Sequence, residues 1–465
     1  MICQKNDELR NFDVFPKVFE VGKPATIHIR ALGIRTEFKP GAAYRVQVCA
    51  LEQGNPWGYP LSSSFVDCDA ECDGEGTIHF QHAFPSEQMY FLRVFEAGGK
   101  DRLAQLRVYA VEKDLAERIP LIGDLHMHTT LSDGHETPET VCANYRGHGY
   151  DFTVISDHQN YYSSLRAIRS YEGVPIGLEI VCGEEIHLPA IDGMENVHVV
   201  NFGGEYSVNG LIENHQGWKT LGNEPSVRSL NGTCPPTMTK AEFEAKIRAM
   251  AAALDVPPGL DAIPAAMTKF ALDETRKAGG LAIYAHPTWI SDVYHAPEAL
   301  TAYVTKNRMF DAFEVLGGER YYEQNGFQTL KYYEDRGNGI DYPIVGSTDS
   351  HCSYAASDKA LVCSTMVFAP ANERTALIRA VKDFYSVAID TISAEFRLVG
   401  KVRLCRYACF LLQSFFPLHD ELCFEEGRLM KQFATGTAAE KEDARAGLEF
   451  IRGRMEKLRA KYFAR

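Results

Sequence analysis

The chain has 465 residues, 45% of them hydrophobic and 24% charged, with a formal net charge of -14. This is the profile of a globular protein of two or three domains. The negative balance excludes bulk attraction to nucleic acid or to an anionic membrane, while leaving room for a local phosphate pocket. The opening residues, MICQKNDELRNF, carry no apolar core of signal-peptide length, and no apolar run reaches the ~20 residues of a membrane span. A soluble, cytoplasmic protein is expected.

Residues 1–115 read as all-β. ATIHIR at 25–30, AYRVQV at 43–48 and YFLRVF at 90–95 alternate as half-buried strands do, with turn signals at Pro40-Gly41 and Asp73-Gly74 between them. Several short strands at this spacing predict a β-sandwich-like domain. The acidic stretch at 69–74 resembles the start of a calcium loop, but Phe80 stands where a bidentate Glu should close it. A hairpin turn is the expected structure there.

Residues 116–395 change texture. Strand-like runs at 152–156, 180–182, 197–202, 281–285, 312–316 and 344–346 alternate with helical periodicity at 138–148, 240–254 and 267–278. That order predicts an α/β barrel or sheet with parallel strands. An insertion at 205–270 is rich in Gly, Pro and Asn and holds Trp218, Arg228 and two Pro-Pro pairs. It reads equally as a lid or as a surface excursion.

Residues 396–465 read as helical, with mixed charges at i, i+4 spacing over 440–462. The run from Ala408 to Pro417 is too short to span a membrane and reads as a buried helix. Phe410, Leu411, Leu412, Phe415 and Phe416 could cover the barrel or join two copies as a homo-oligomer. Twelve cysteines are scattered from Cys3 to Cys423 with no CxxC pair. Cys68 and Cys72, like Cys405 and Cys409, lack the second pair of a tetrahedral site, so reduced apolar cysteines are expected.

The chemistry gathers where strands end. His126 and His128 lie in GDLHMHTTLSDG, two apart, so that on a strand both imidazoles face one side. Asp133 follows at a turn able to fold its carboxylate back. VISDH ends in Asp157 and His158, and VCGEEIH brings Glu184, Glu185 and His187 after another apolar run. His198 sits in VHVV, His286 closes LAIYAHP, and Asp349 and His351 close IVGSTDSH. A single such His is usually a hydrogen-bonded core residue, and a strand-end Asp often caps a helix. Six segments delivering His, Asp or Glu together are better explained by a metal cluster, because functional groups collect at the carboxyl ends of strands in barrels and open α/β sheets.

The motifs GDLHMHTTLSDG, VISDH, GEE, AHP and GSTDSH resemble, in order, those of the polymerase-and-histidinol-phosphatase (PHP) superfamily over about 118–395. The resemblance implies a distorted (β/α)7 barrel with two to three divalent ions. It places His126, His128, Glu185 and Asp349 on the first ion. Glu185 would bridge to a second ion held with His198 and His286, and Asp133, His158 and His351 would hold a third. Glu185 is preferred to Glu184 because the family pattern is Gly-x-Glu from Gly183. Asp133 stands where some members carry His, as in the branch with SDG.

A mixed nitrogen and oxygen donor set suits Zn, Mn or Fe. A bridging carboxylate lets two cations sit ~3.5–4 Å apart, with bound water near pKa ~7, so the expected nucleophile is solvent. Glu185 and Asp349 are the expected catalytic carboxylates, with Asp157 supporting or handling protons beside His158. The predicted function is a phosphoesterase for a small phosphomonoester or phosphodiester. An amide, carbamate or ester hydrolase using the same site is the alternative, as is a non-catalytic metal-stabilised module. Arg166, Arg228, Lys269 and Arg320 are candidate phosphate ligands, and His187 and His215 candidate pocket residues.

Overall fold

The computed structural model describes residues 5–33, 37–54, 57–59, 61, 64–217, 227–317, 321–353, 363–391 and 397–464. It divides into two compact units: Pro120–Cys405 with Cys423–Glu449, and Ile2–Ile119 with Arg406–Leu422 and Phe450–Arg465.

The second unit is built on β1 (Phe12–Phe15), β2 (Val18–Glu20), β3 (Ala25–Ala31), β4 (Ala43–Ala50), β5 (Phe65–Cys72), β6 (Thr77–His82), β7 (Gln88–Glu96) and β8 (Arg102–Val111). All eight join one hydrogen-bonded sheet in the order β1-β3-β6-β5-β4-β7-β8-β2. Along β7 buried and half-buried residues alternate, the period-2 signature of a strand with one face in a core. The β5–β6 ladder holds only Glu71↔His79 and Cys72↔Ile78, so the sheet can fold over there. Accordingly Ile27 and Ile29 of β3 share one apolar cluster with Val46 and Val48 of β4 and Leu92 and Val94 of β7.

The acidic stretch forms the β5–β6 turn. Asp69 lies in the strand, and the Asp73 carboxylate accepts the N–H groups of Glu75 and Thr77 at 2.9 Å each. The stripe Phe410, Leu411, Leu412, Phe415 and Phe416 is buried, which leaves it unavailable as an exposed dimer surface. Phe410 packs 5.4 Å from the ring of Tyr109, and Phe415 packs 5.0 Å from Tyr462, all inside this unit.

In the first unit, β9 (Ile119–Asp124), β10 (Phe152–Val154), β11 (Glu179–Val181), β17 (Cys363–Ala369), β18 (Ser386–Asp390) and β19 (Arg397–Val399) form a sheet ordered β11-β10-β9-β17-β18-β19. A second sheet is ordered β12-β13-β14-β15-β16, from β12 (Gly183–Ile186), β13 (Val199–Phe202), β14 (Leu281–Tyr284), β15 (Ala312–Leu316) and β16 (Ile344–Gly346). Isolated bridges Met127↔Ser350 and His158↔Glu185 link the two sheets just past the ends of β9, β16 and β10. Strands β14 and β15 are buried at every residue, as expected where both faces are covered. Helices Pro138–Gly147, Tyr162–Ser170, Ala262–Lys277, Glu298–Lys306, Gly326–Gly337 and Arg374–Lys382 alternate with them.

Two expectations change. β13 runs antiparallel to both β12 and β14, against the all-parallel prediction, because a loop without a helix joins β12 to β13, and parallel neighbours need a crossover. Residues 397–399 are a strand paired with β18 rather than helix. Within the insertion at 205–270 the helix predicted over 240–254 forms as Lys240–Ala253: it starts on a capping box between Thr239 and Glu242 and buries Phe243, Ile247 and Ala251 in the main core. Trp218 lies outside the described residues. Among the described residues no helix is long and apolar enough to cross a membrane, and the described cysteines are free.

Candidate metal centre

Glu185 is the hub. It occupies the third position of β12, and the pleat turns Glu184 and Glu185 to opposite faces. Glu184 turns to the 207–209 segment, where it accepts from Ser207 Oγ at 2.8 Å and from Val208 N at 2.5 Å. Glu185 points instead into a ring of imidazoles. Its Oε2 lies 2.7 Å from His158 Nδ1, 3.4 Å from His126 Nε2 and 3.5 Å from His128 Nε2. Its Oε1 lies 2.7 Å from His198 Nδ1 and 3.6 Å from His286 Nε2.

Asp349 faces the same space, with Oδ1 3.0 Å from His128 Nε2 and 3.3 Å from His126 Nε2, and Oδ2 3.7 Å from His286 Nε2. Asp133 Oδ2 stands 3.4 Å from both His158 Nε2 and His351 Nε2. The structure thus brings together His126, His128, Asp133, His158, Glu185, His198, His286, Asp349 and His351. His128 belongs equally with Asp133, His158 and His351, so the groups overlap more than a clean division into three sets implies.

The local chain explains the convergence. His126 and His128 lie just beyond β9, on either side of the bridged Met127, and His198 immediately precedes β13 rather than lying within it. Gly134 allows the turn that returns Asp133, since a Cβ there would sit 2.6 Å from the His128 carbonyl carbon and oxygen. Asp349 takes the left-handed backbone at φ 50°, a conformation Asp tolerates better than most non-glycine residues. Asp124, fully buried, accepts from His126 N at 3.2 Å and Thr348 N at 3.1 Å, tying together the segments that carry His126 and Asp349.

Asp157 does not turn into the cluster. Its carboxylate accepts from Thr129 N at 2.6 Å, Thr129 Oγ1 at 2.5 Å and Ser132 Oγ at 2.6 Å. It therefore holds the turn that presents Asp133, and these partners leave the expected proton-handling role without geometric support.

The electrostatics are those of a paired cluster. Burial would raise the Glu185 carboxyl, but His198, His158 and His126 together hold it well below the usual range, and Asp349 is likewise depressed against burial by His126 and His128. Burial pushes His128 down to about 3, whereas Glu185 and Asp133 overcome burial at His158 and raise it to about 10.

Both Glu185 oxygens, His126 Nε2, His198 Nδ1 and both His286 ring nitrogens are buried without a hydrogen-bond partner. Buried polar atoms are almost always satisfied, so this concentration of orphans at one point fits the residues to cations. The donors are imidazole and carboxylate, the set that suits Zn, Mn or Fe.

The basic candidates described are engaged with the protein itself. Arg166 pairs with Glu139 at 2.8 Å, Arg228 donates to the Gly210 carbonyl at 2.7 Å, and Lys269 pairs with Asp273 at 2.5 Å. Arg320 is outside the described residues. His187 does reach the centre, with Nε2 2.7 Å from His158 Nδ1 and 3.6 Å from Glu185 Oε2. His215 stands behind it, against the His187 carbonyl at 2.5 Å.

Two residues went unassigned by sequence. Glu314 lies 3.1 Å from His126 Nδ1, and His295 Nε2 accepts from His198 N at 2.9 Å. The signal for Glu314 was a lone acid inside the apolar run AFEVL, the same kind of signal that singled out His198.

No family model matches the chain, and no curated protein matches it. Among solved structures, the chain is similar to a two-domain protein from Bacteroides vulgatus named for a predicted PHP-like metal-dependent phosphoesterase. The identity is 17%, over 58% of this chain and 65% of that one, with a TM-score of 0.37. This chain therefore spans slightly less than two thirds of that protein. A protein from Bifidobacterium adolescentis named as a metal-dependent phosphoesterase is 19% identical over 50% of this chain and 89% of its own, with a TM-score of 0.31. An amidohydrolase from Chromobacterium violaceum, with bound sulfate and no metal, is 16% identical over 51% of this chain and 89% of its own, with a TM-score of 0.30.

Proposed function

We propose that this chain is a PHP-type metal-dependent hydrolase acting on a small phosphomonoester or phosphodiester. The observation that carries the reading is Glu185: one fully buried carboxylate with imidazoles on both oxygens and no hydrogen-bond partner of its own. His126, His128, Glu185 and Asp349 would hold one ion, Glu185, His198 and His286 a second, and Asp133, His158 and His351 a third. Bound there, divalent ions would polarise substrate oxygens and lower the pKa of water. The chain's own contribution is placement: Asp124, Asp157 and Glu184 hold the segments that carry the ligands.

Adjacent cation sets suit a phosphoryl group, whose several anionic oxygens can each face a cation, better than a carbonyl with one. Structural metal sites tend to be closed and cysteine-rich, unlike this one, which speaks against a non-catalytic module. The strand order β9, β10, β12, β13, β14, β15, β16, with the bridges Met127↔Ser350 and His158↔Glu185, supports a closed seven-stranded (β/α)7-like barrel. The folded-over sheet supports a sandwich-like domain over 1–115, ahead of a barrel over 116–395 and a carboxyl-terminal segment over 396–465.

The test is hydrolysis of phosphomonoesters, phosphodiesters, amides and carboxylic esters by Mn-, Zn- and Fe-loaded protein, beside Glu185→Ala and His126→Ala. Phosphate release or diester cleavage that needs metal and both residues is the expected result. Turnover of amides or carboxylic esters alone would replace the phosphoester reading with its rival.

A further inference from the structure

We infer that Glu314 is a positioning residue that fixes the tautomer and tilt of His126, turning His126 Nε2 toward the metal. The inference rests on His126 being a ligand, as proposed above. Glu314 is the middle residue of the fully buried β15, and its Oε2 stands 3.1 Å from His126 Nδ1. On the opposite edge of the same ring, His126 Nε2 faces Asp349 Oδ1 at 3.3 Å and Glu185 Oε2 at 3.4 Å. A neutral imidazole carries one N–H, and an ionised carboxylate only accepts. With a cation on Nε2, the one N–H of the neutral ring would lie on Nδ1, where Glu314 accepts it.

The surroundings are shaped to keep Glu314 in place. Gln328 Nε2 donates to the Glu314 carbonyl at 2.9 Å, and Thr288 Oγ1 donates to Gln328 Oε1 at 3.0 Å. A Cβ at Gly317 would fall 1.8 Å from Glu314 Oε1, so only glycine leaves room for this carboxylate. Asn325 Oδ1 accepts from Gly317 N at 2.8 Å and holds that glycine where it is. Glu314 Oε2 addresses Nδ1, the ring edge away from Glu185 and Asp349, which assigns it to support. His126, His286 and Glu314 also lie close enough to hold an ion, and Glu314 Oε1 is buried without a partner, so direct ligation is the rival that the zinc count decides.

The experiment is zinc affinity and stoichiometry by chelator competition for wild type, Glu314→Gln, Glu314→Leu, Gly317→Ala and His126→Ala. Long-range proton–nitrogen spectra of protein labelled at histidine would report the tautomers. Glu314→Leu is expected to weaken zinc binding about 10–100-fold with the number of ions unchanged, and to lose the His126 Nδ1–H signal. Glu314→Gln, whose amide oxygen still accepts, should keep that signal and bind closer to wild type. Gly317→Ala should weaken binding with Glu314 itself intact, which covers the case of a misfolded Leu variant.

Wild-type affinity and tautomer in Glu314→Leu and Gly317→Ala, beside a weakened His126→Ala, would overturn the inference and leave the proposed function standing. Loss of one zinc equivalent in Glu314→Gln would overturn it in favour of direct ligation. A wild-type protein that binds no zinc would remove the ligand reading of His126 and this inference with it.

Discussion

Two of the histidine and acid clusters among the described residues behave oppositely. In the β-sheet unit, His79 Nε2 meets Asp73 Oδ2 at 2.6 Å, His79 Nδ1 meets His28 Nδ1 at 2.6 Å, and His28 stacks on Phe15 at 4.8 Å. These groups are partly exposed, and the hydrogen bonds close on one another. Around Glu185 the same residue types are buried, and their best-placed atoms have no hydrogen-bond partner. The comparison teaches that residue type and proximity do not mark a metal centre. A concentration of buried, unsatisfied donor atoms at one point fits a metal centre better, because such polarity costs free energy unless something else completes it.

The largest effect that could break this contrast is at the hub. Glu185→Ala should lower kcat by at least about 10²–10³-fold, the scale for removing one stabiliser of developing charge. Asp73→Ala, at the other cluster, should leave kcat unchanged. Steady-state assays on the two variants check the pair, and equal losses would erase the distinction.

Metal removal comes next. At a free ion concentration 100 times its Kd, one site adds about 2.7 kcal/mol to folding stability. Chelation should therefore lower the unfolding temperature of the wild-type protein more than that of Glu185→Ala, which keeps only the Asp133, His158 and His351 set, as read by calorimetry. An equal shift in both would place the bound metal away from Glu185.

Glycine substitution sharpens the comparison structurally. Gly134→Ala forces a Cβ against the His128 carbonyl and should cost about 1–3 kcal/mol in urea unfolding, as overpacking does. Gly74→Ala meets nothing within 4 Å in the β5–β6 turn, so it should stay within about 0.5 kcal/mol.

The smallest effect is a titration in the turn. The Asp73 carboxyl is lowered from 3.8 to about 2, chiefly by the Thr77 N–H and also by His79. A depressed folded-state pKa means its contribution is present above about 3.8 and is lost as the pH falls through about 2. A carbon NMR titration should find its midpoint near 2, and an ordinary carboxylate midpoint would show that the turn does not hold the charge.

How much was legible follows the same line. The strands at 281–284 and 312–316 and the helix at 138–147 announce themselves by run length and period, because local burial dictates both. His126 and His128 were readable because two residues apart means one side of an extended chain. Strand direction was not: β13 carries the same apolar pattern whichever way it runs, and only its helix-free connection to β12 reverses it. The burial of the Phe410 stripe was readable, but whether it covered the barrel or joined two copies was not, because its partner Tyr109 lies far away in sequence. Asp157 and Glu314 show the sharper limit. A strand-end acid and a mid-strand acid look alike until the fold shows that one holds a turn and the other faces the Nδ1 of His126.

The central claim is that Glu185 bridges two cations. Electron paramagnetic resonance of the manganese-loaded protein tests it most directly, beside Glu185→Gln. An exchange-coupled signal from a manganese pair in the wild type, replaced by isolated-ion signals in the variant, is the predicted result. Isolated ions in both proteins at full manganese loading would contradict it.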